Sequence, residues 1–302
     1  MRKFIKVITI FVLGLAIFDW SFGKFFIFLR SHTRGGDIYK ENYIANKCIA
    51  DVLILGSSRA ARHYDPNVLK DSLGLSCYNC GEPGCGSIVA YTRYKMVSER
   101  HYPKLVIYDL HPLFDYLDIN DYSRQIGILK PYANFKAVRD NYDIFGDKLD
   151  KISLLSSMYR NNSQLIDCLQ GVFDSDKLMN GFQPLLGIMS ERNANKYNKM
   201  NYHPIDSLKL EYLEDFFRTI RNDNVPLIVI VSPFYKNSTN IINYRDAVNL
   251  CNRLNIPFID NTEMSGIYDD RLLFRDYQHL NVDGARLYTQ RIISQIKGYL
   301  KN

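Results

Sequence analysis

The chain has no run of five or more lysines and arginines, although its formal charge is +6. That excludes a dedicated nucleic-acid surface, which needs clustered positive charge. Scattered charge of this size fits work near anionic lipid or an anionic polymer, or simply a solvated basic surface. The run Gly56 to His63 lacks both glycine patterns that cradle phosphates, G-x-G-x-x-G and G-x-x-x-x-G-K. No second Cys or His pair at ligand spacing accompanies Cys77-x-x-Cys80 and Cys85, so no metal is assigned, and no cofactor is implied. There is no internal repeat and no low-complexity tract. What remains is ordinary for a globular protein: 302 residues, 46% apolar and 23% charged. That length suits one large domain or two small ones. The six cysteines, Cys48, Cys77, Cys80, Cys85, Cys168 and Cys251, leave disulfide pairing open.

The N-terminus departs from this average. Met1-Arg2-Lys3-Phe4-Ile5-Lys6 is basic, and Val7 to Phe18 is an uncharged apolar run. Alone that run has the length of a signal peptide. Counted through Leu29 it is long enough to span a bilayer, at the cost of carrying Asp19 and Lys24. Those two would sit near an interface or pair with a partner subunit. No small-x-small cleavage site follows, which favours an uncleaved transmembrane anchor over residues 1–30. The alternatives are a cleaved signal and a buried helix of a cytosolic domain. With an anchor, the basic flank stays in the cytoplasm and the rest of the chain lies outside the cell membrane. Trp20 reads as a membrane-interface residue.

Residues 31–50 form a polar connector, and from residue 51 to 302 the pattern is α/β. Asp51 to Leu55 is an apolar run ending on Gly56, and reads as a buried strand. A helix follows from Asp65-Pro66 to about Leu73, with Asp at the cap and Pro in the first turn. Leu75 to Tyr78 is a second strand, leading into the loop Gly81-Glu82-Pro83-Gly84-Cys85-Gly86. Ser87 to about Arg100 is helical, and Lys104 to Leu110 is a third strand containing Tyr108 as a core residue. Between about 111 and 206 the pattern turns helical, with helices near Phe135 to Phe145 and Lys151 to Gln170. This reads as an insertion packed over one edge of the core. Then come a helix from Ser207 to Arg221, a strand from Pro226 to Ser232, and a helix from Ile241 to Leu254. A short strand at Pro257 to Ile259 and a final helix from Val282 to Leu300 complete the chain. Strands alternating with helices predict a three-layer α/β/α fold with a parallel sheet covered on both faces.

In such sheets ligands bind at the carboxyl ends of the strands. Three features fall there. Ser58 follows the first strand, where Gly56 permits a tight turn and helix-start amides point at the site. Gly81 and Gly84 follow the second strand and could bring an amide close to a developing oxyanion. Asp276 and His279 stand just before the last helix. A serine hydroxyl needs a base, and the base needs an acceptor that fixes its tautomer. Asp276 can accept from one nitrogen of His279 while the other faces Ser58. Ser57 is the alternative nucleophile. Ser58 as a helix cap, and His279 bound to Asp276 for structural reasons, are the plainer readings. Arg59 could hold an anionic substrate or form a surface ion pair. His63 and His101 read as surface residues. His111 lies at the end of the third strand and joins the site on position alone.

The order of these runs resembles the SGNH (GDSL-like) hydrolase superfamily. The matching runs are Ile54-Leu55-Gly56-Ser57-Ser58-Arg59, Tyr78-Asn79-Cys80-Gly81-Glu82-Pro83-Gly84 and Asp276 to Ala285, and the likeness covers about residues 50 to 300. It looks closest to the membrane-anchored branch that includes the lipoteichoic-acid D-alanyl transfer protein and alginate O-acetyltransferase relatives. The resemblance implies a flavodoxin-like sheet, Ser58 as nucleophile, Asp276 and His279 completing the triad, and Gly81 or Gly84 as second oxyanion donor. The asparagine expected after the third strand is missing, since that strand ends Asp109-Leu110-His111-Pro112. Losing one donor costs a few kcal/mol of transition-state stabilisation. That weakens hydrolysis more than transfer to a bound acceptor.

The expected function is therefore a membrane-anchored serine acyltransferase or esterase acting on acyl, chiefly acetyl, esters of cell-envelope polysaccharide. A membrane protein that donates acyl groups is the expected partner for a transferase. The competing class is a non-catalytic glycan-binding or scaffold protein that keeps the core without the turnover. The missing asparagine is its support.

Overall fold

The computed structural model describes residues 1–173, 179–194, 203–236 and 244–300. The chain divides into two compact units. One comprises Asn46–Asp121 and Met179–Asn302, the other Met1–Ala45 and Tyr122–Leu178.

The first unit holds a five-stranded parallel sheet: β1 (Val52–Gly56), β2 (Cys77–Asn79), β3 (Leu105–Asp109), β4 (Leu227–Val231) and β5 (Phe258–Asp260). The strand order is β2-β1-β3-β4-β5. β1 pairs with β2 on one side and β3 on the other, Ile54 lying opposite both Asn79 and Ile107. The chain order therefore reverses at β1, and the switch point lies between the carboxyl ends of β1 and β3, the place where ligands bind in such sheets. Every residue of β1, β3 and β4 is buried, as expected of strands covered on both faces. β5 is the partly exposed edge.

Side-chain alternation splits these strands between two layers. Val52, Ile54, Leu105, Ile107, Ile228 and Ile230 face a core completed by Tyr64, Leu69, Tyr288 and Ile292. Leu69 comes from the helix Pro66–Leu73, Tyr288 and Ile292 from the helix Val282–Lys297, and Tyr64 is the extended residue that ends the helix Ser58–His63. On the other face Tyr108 meets Phe216 and Phe217 of the helix Ser207–Asn222, at ring distances of 5.3 and 5.6 Å. The sequence rules for helix ends hold locally. Asp65 caps its helix through Asn67 N–H at 2.9 Å, and Gly74 closes it in the left-handed region at φ 68°. The helix expected from Ile241 begins at Arg245; residues 241–243 lie outside the described residues. Within this unit the ends of the middle segment are joined by an isolated antiparallel bridge between Leu117 and Ile205.

The second unit is helical. Arg2–Ser31 is one unbroken helix of 30 residues, about 45 Å long. It is long and apolar enough to cross a membrane. The expected connector contains a helix, Gly36–Asn46, with Lys40 and Glu41 buried on it. The helical stretch expected from Lys151 to Gln170 lies in three helices: Lys148–Ser153, Ser157–Asn161 and Leu165–Phe173. Asp147 and Asp150 form a capping box that starts the first. Ser156 makes the first break by capping the second helix, its Oγ accepting from Tyr159 N–H at 3.0 Å, and a tighter 3-10 turn over Asn162–Gln164 makes the second. The expected insertion at 111–206 thus falls into separate parts. Residues 122–178 cluster with the N-terminal helix, and its two flanks stay with the sheet.

Candidate active site

Ser58, His279 and Asp276 meet at the carboxyl end of β1. Gly56 makes the turn possible. Its φ is +134°, and a Cβ there would stand 2.4 Å from the carbonyl oxygen of Asp109 on β3. The chain then enters the helix Ser58–His63 with Ser58 as its first residue, so the Ser58 amide has no intrahelical acceptor. Ser58 Oγ lies 2.8 Å from His279 Nε2. His279 Nδ1 lies 3.0 Å from both oxygens of Asp276. A carboxylate only accepts, so Nδ1 carries the proton and Nε2 is left to accept from the serine hydroxyl. Ser57, the rival nucleophile, has its Oγ buried without a hydrogen-bond partner. Ser58 is not the helix cap; Ser57 occupies that position.

The loop that carries His279 is tightly determined. Asp276 Oδ1 also accepts the backbone N–H groups of Gln278 (2.9 Å) and His279 (3.0 Å), and Arg275 N–H donates to His279 O at 2.9 Å. Phe274 and Leu280 close the loop by an antiparallel bridge. Burial pushes the Asp276 carboxyl up, but His279 and the two amides outweigh it and hold Asp276 below the usual carboxylate range. Asn281 then caps the last helix through Gly284 N–H at 2.9 Å.

Beneath the three residues lies a buried polar layer that sequence reasoning largely missed. His63, expected at the surface, is completely buried. Its Nε2 accepts the Leu280 N–H at 3.0 Å and its Nδ1 is 2.8 Å from Ser232 Oγ. With Nε2 accepting from the amide, Nδ1–H donates to Ser232. Burial, then the neighbouring His279, Arg59 and Arg62, keep His63 well below the usual histidine range, so the ring is neutral. Arg59 corrects a second expectation. It is fully buried and faces no substrate. It donates to Ser232 O (3.0 Å) and Leu110 O (2.6 Å), pairs with Asp109 at 3.3 Å and stacks on Phe234 at 4.2 Å. Arg59 thus ties together the ends of β3 and β4. Asp109 is pushed up by burial, which Arg59 only partly offsets. The sequence carries one trace of this layer, Asp109 and Ser232 being polar residues that end apolar strands, and none that turns Arg59 or His63 inward.

The glycine loop also differs from expectation. Gly81 N–H donates to Asn79 Oδ1 at 3.0 Å, and a Cβ at Gly81 would stand 2.3 Å from Ala61 N. Gly81 therefore lets the loop press against the serine's helix, and its amide is engaged by Asn79. The Asn79 amide nitrogen holds the far end of that helix through Ala60 O (2.7 Å) and Tyr64 O (3.0 Å). Gly84, at φ +72°, follows Pro83 in a turn closed by Cys85 N–H to Glu82 O at 3.2 Å. Its conformation is the one a type II turn demands. His111 stands in place of the missing asparagine. It is buried between Phe114 and Phe234, at 4.9 and 6.3 Å, and its Nδ1 has no hydrogen-bond partner among the described residues. Burial, with Arg59 and His279 nearby, holds its pKa well below the usual histidine range. Its backbone N–H is fixed by Asp115 Oδ2 at 2.7 Å. Among the described residues no three His, Cys, Asp or Glu side chains group as metal ligands, and the six cysteines are buried with no disulfide between them.

No protein-family model matches the chain, and no curated protein matches it. Among solved structures, a Bacteroides fragilis protein assigned as an acylhydrolase aligns at 13% identity and a TM-score of 0.40. The alignment covers 86% of this chain and 97% of the other. What the site can do rests on its own geometry.

Proposed function

We propose that this chain is a membrane-anchored serine acyltransferase or esterase of the SGNH type. The observation that carries the reading is the 2.8 Å approach of His279 Nε2 to Ser58 Oγ, with Asp276 fixing the ring from the other side. In the first half-reaction Ser58 Oγ attacks the carbonyl carbon of an acyl ester, and His279 takes the hydroxyl proton. The carbonyl electrons move onto oxygen. As the tetrahedral intermediate collapses, the ester C–O bond breaks and His279 returns the proton to the leaving alcohol. The second half-reaction repeats these steps with water or a sugar hydroxyl as nucleophile, freeing Ser58. Asp276 stabilises the imidazolium formed in each half.

The Ser58 amide is one donor to the developing oxyanion. His111, just past β3 where the asparagine is absent and with its Nδ1 unpartnered among the described residues, is the candidate for the second donor. Each donor of this kind is worth about 3–4 kcal/mol. Arg59 and the Gly81 amide act in holding the nucleophile's helix and take no part in substrate binding. The substrate is an acyl ester, with acetyl esters of cell-envelope polysaccharide as the first class to try. The basic flank before the apolar helix favours a site outside the cytoplasm. A retained anchor beside a hydroxyl-rich polymer favours transfer from a membrane acyl donor.

The test uses the full-length chain in detergent with p-nitrophenyl acetate and a fluorophosphonate probe. Turnover and labelling that both vanish in Ser58→Ala support the reading. Equal turnover in the variant, or a probe attached to another residue, overturns it. A chain that binds glycan but takes neither substrate nor probe is a binding protein.

A further inference from the structure

We propose that the helical unit meets the lipid bilayer over a second surface, the outward side of residues 149–173, and not through the apolar helix alone. The proposal rests on reading Arg2–Ser31 as a membrane span.

Helix length sets the depth. The apolar stretch before Asp19, from Val7 to Phe18, rises only about 18 Å, while a bilayer's hydrocarbon core is about 30 Å thick. The layer must therefore continue past Asp19. On its open side Trp20, Ile27 and Phe28 are exposed, and Lys24, the charged residue of that face, lies over the Trp20 ring at 5.8 Å, where its stem can snorkel to the edge of the layer. On its other side it is met by protein. Asp19 accepts from Ser156 Oγ (2.5 Å), Ser157 N–H (2.7 Å) and Met158 N–H (2.9 Å), which fixes the start of the helix Ser157–Asn161 at the level of residue 19. Gly23 lets that contact close, since a Cβ there would lie 2.5 Å from Ser157 Cβ. A carboxylate within the apolar layer is thus fully satisfied by a helix start, as the absence of water requires.

The same short helices carry large apolar side chains outward. Leu149, Ile152, Leu155, Ile166, Leu169 and Phe173 are exposed, Leu155 by 83% and Phe173 by 88%. Ile166, Leu169 and Phe173 form one stripe of the helix Leu165–Phe173, spaced at i, i+3 and i+7. The inner side of that helix is already occupied, with Leu165 and Cys168 packed on Leu29 and Ile38. Exposed Asp167 and Gln170 stand beside this second apolar stripe, the pattern of a helix that lies at an interface. Lys148 and Lys151 stand among these residues on the helix Lys148–Ser153 together with the capping-box carboxylates Asp147 and Asp150, and Lys130 lies over Tyr159 at 4.4 Å. Apolar side chains rimmed by charges of both signs fit the boundary between acyl chains and headgroups. Continuity with the open side of the span at the same depth identifies the occupant as lipid, not a protein partner.

Trp20 is the chain's single tryptophan, so it reports the span by itself. The full-length chain is placed in phosphatidylcholine nanodiscs with and without brominated acyl chains. Two further reporters are built in a Trp20→Phe background, one with Ile166→Trp and one with Phe173→Trp. Both positions are exposed, so neither change disturbs packing. The expected result is that brominated lipid at least halves the emission of Trp20 and of both introduced tryptophans, and that iodide reaches none of them. If Trp20 is quenched but both introduced tryptophans ignore brominated lipid and are open to iodide, the second surface is refuted and the span stands. If Trp20 itself is not quenched, the span and the proposal fall together.

Discussion

His63 Nε2 accepts the backbone N–H of Leu280, the residue immediately after His279. The side chain that does this belongs to the helix that Ser58 begins. Ser58 and His279 are therefore positioned by one bond between their own elements, from residues 217 apart in sequence. His63→Ala leaves the Leu280 amide and the Ser232 hydroxyl unsatisfied in a buried place, a loss of about 1–3 kcal/mol. The expected effect is a fall in kcat of roughly 10–100-fold with KM little changed. His63→Gln, which can still accept from Leu280, recovers part of it. Esterase kinetics on the three proteins check this; unchanged kcat in His63→Ala would refute the positioning role.

His63 also makes stability depend on pH. Folded, it is held well below the usual histidine range and stays neutral. Unfolded, it takes up a proton below about pH 6.5. The unfolded chain then binds more protons, so this contribution is complete above pH 6.5 and is lost as pH falls below it. Asp115 acts with the opposite sign. Burial pushes its carboxyl up to about 7, so its contribution is present at low pH and is lost as pH rises through 7. Comparing His63→Gln with its parent cancels that background. The parent should lose up to about 1.4 kcal/mol more per pH unit below pH 6.5. Urea midpoints at pH 7.5, 6 and 5 measure it, and parallel slopes would rule the effect out.

Asp276→Asn tests orientation apart from folding. The asparagine carbonyl can still receive the Gln278 and His279 amides, so the loop survives. It cannot act as acceptor on both oxygens for His279 Nδ1–H. A loss of roughly 10⁴-fold in kcat is expected, the size seen when such a histidine takes the wrong tautomer. Thermal melting should move little. A variant within tenfold of the parent would remove Asp276 from the mechanism.

Arg59 and Asp109 are both inaccessible to solvent. Arg59→Met strands Asp109 beneath the site and should cost about 3–5 kcal/mol in chemical denaturation. Arg59→Met with Asp109→Leu should cost clearly less, because no charge is left unpaired. Additive losses in the double variant would show that the pair is not coupled.

The sheet was legible because its strands are short apolar runs bounded by turn residues, and Leu227–Val231 could hardly be anything else. Ser58, His279 and Asp276 were legible because the chemistry needs those types at strand ends and helix starts. The polar layer under them was not. Nothing in Ser57 to His63 distinguishes a histidine that turns inward from one that turns out, and a buried Arg59 reads like a surface one until Asp109 and the β3 and β4 carbonyls are placed around it. The middle segment was misdivided for a related reason. Helical periodicity from Lys151 to Gln170 continues across Ser156, and only Asp19, far away in sequence, reveals that a helix starts there.

That last contact has a consequence for how the protein is made. Asp19 and its three donors lie 137 to 139 residues apart. At ribosomal speeds that separation is on the order of ten seconds of synthesis. A span that enters the bilayer as it emerges waits that long with its carboxylate uncapped. On the proposed reading of Arg2–Ser31 as an anchor, the joint is left half finished at the start of translation, and residues 156–158 complete it long after the first helix has formed.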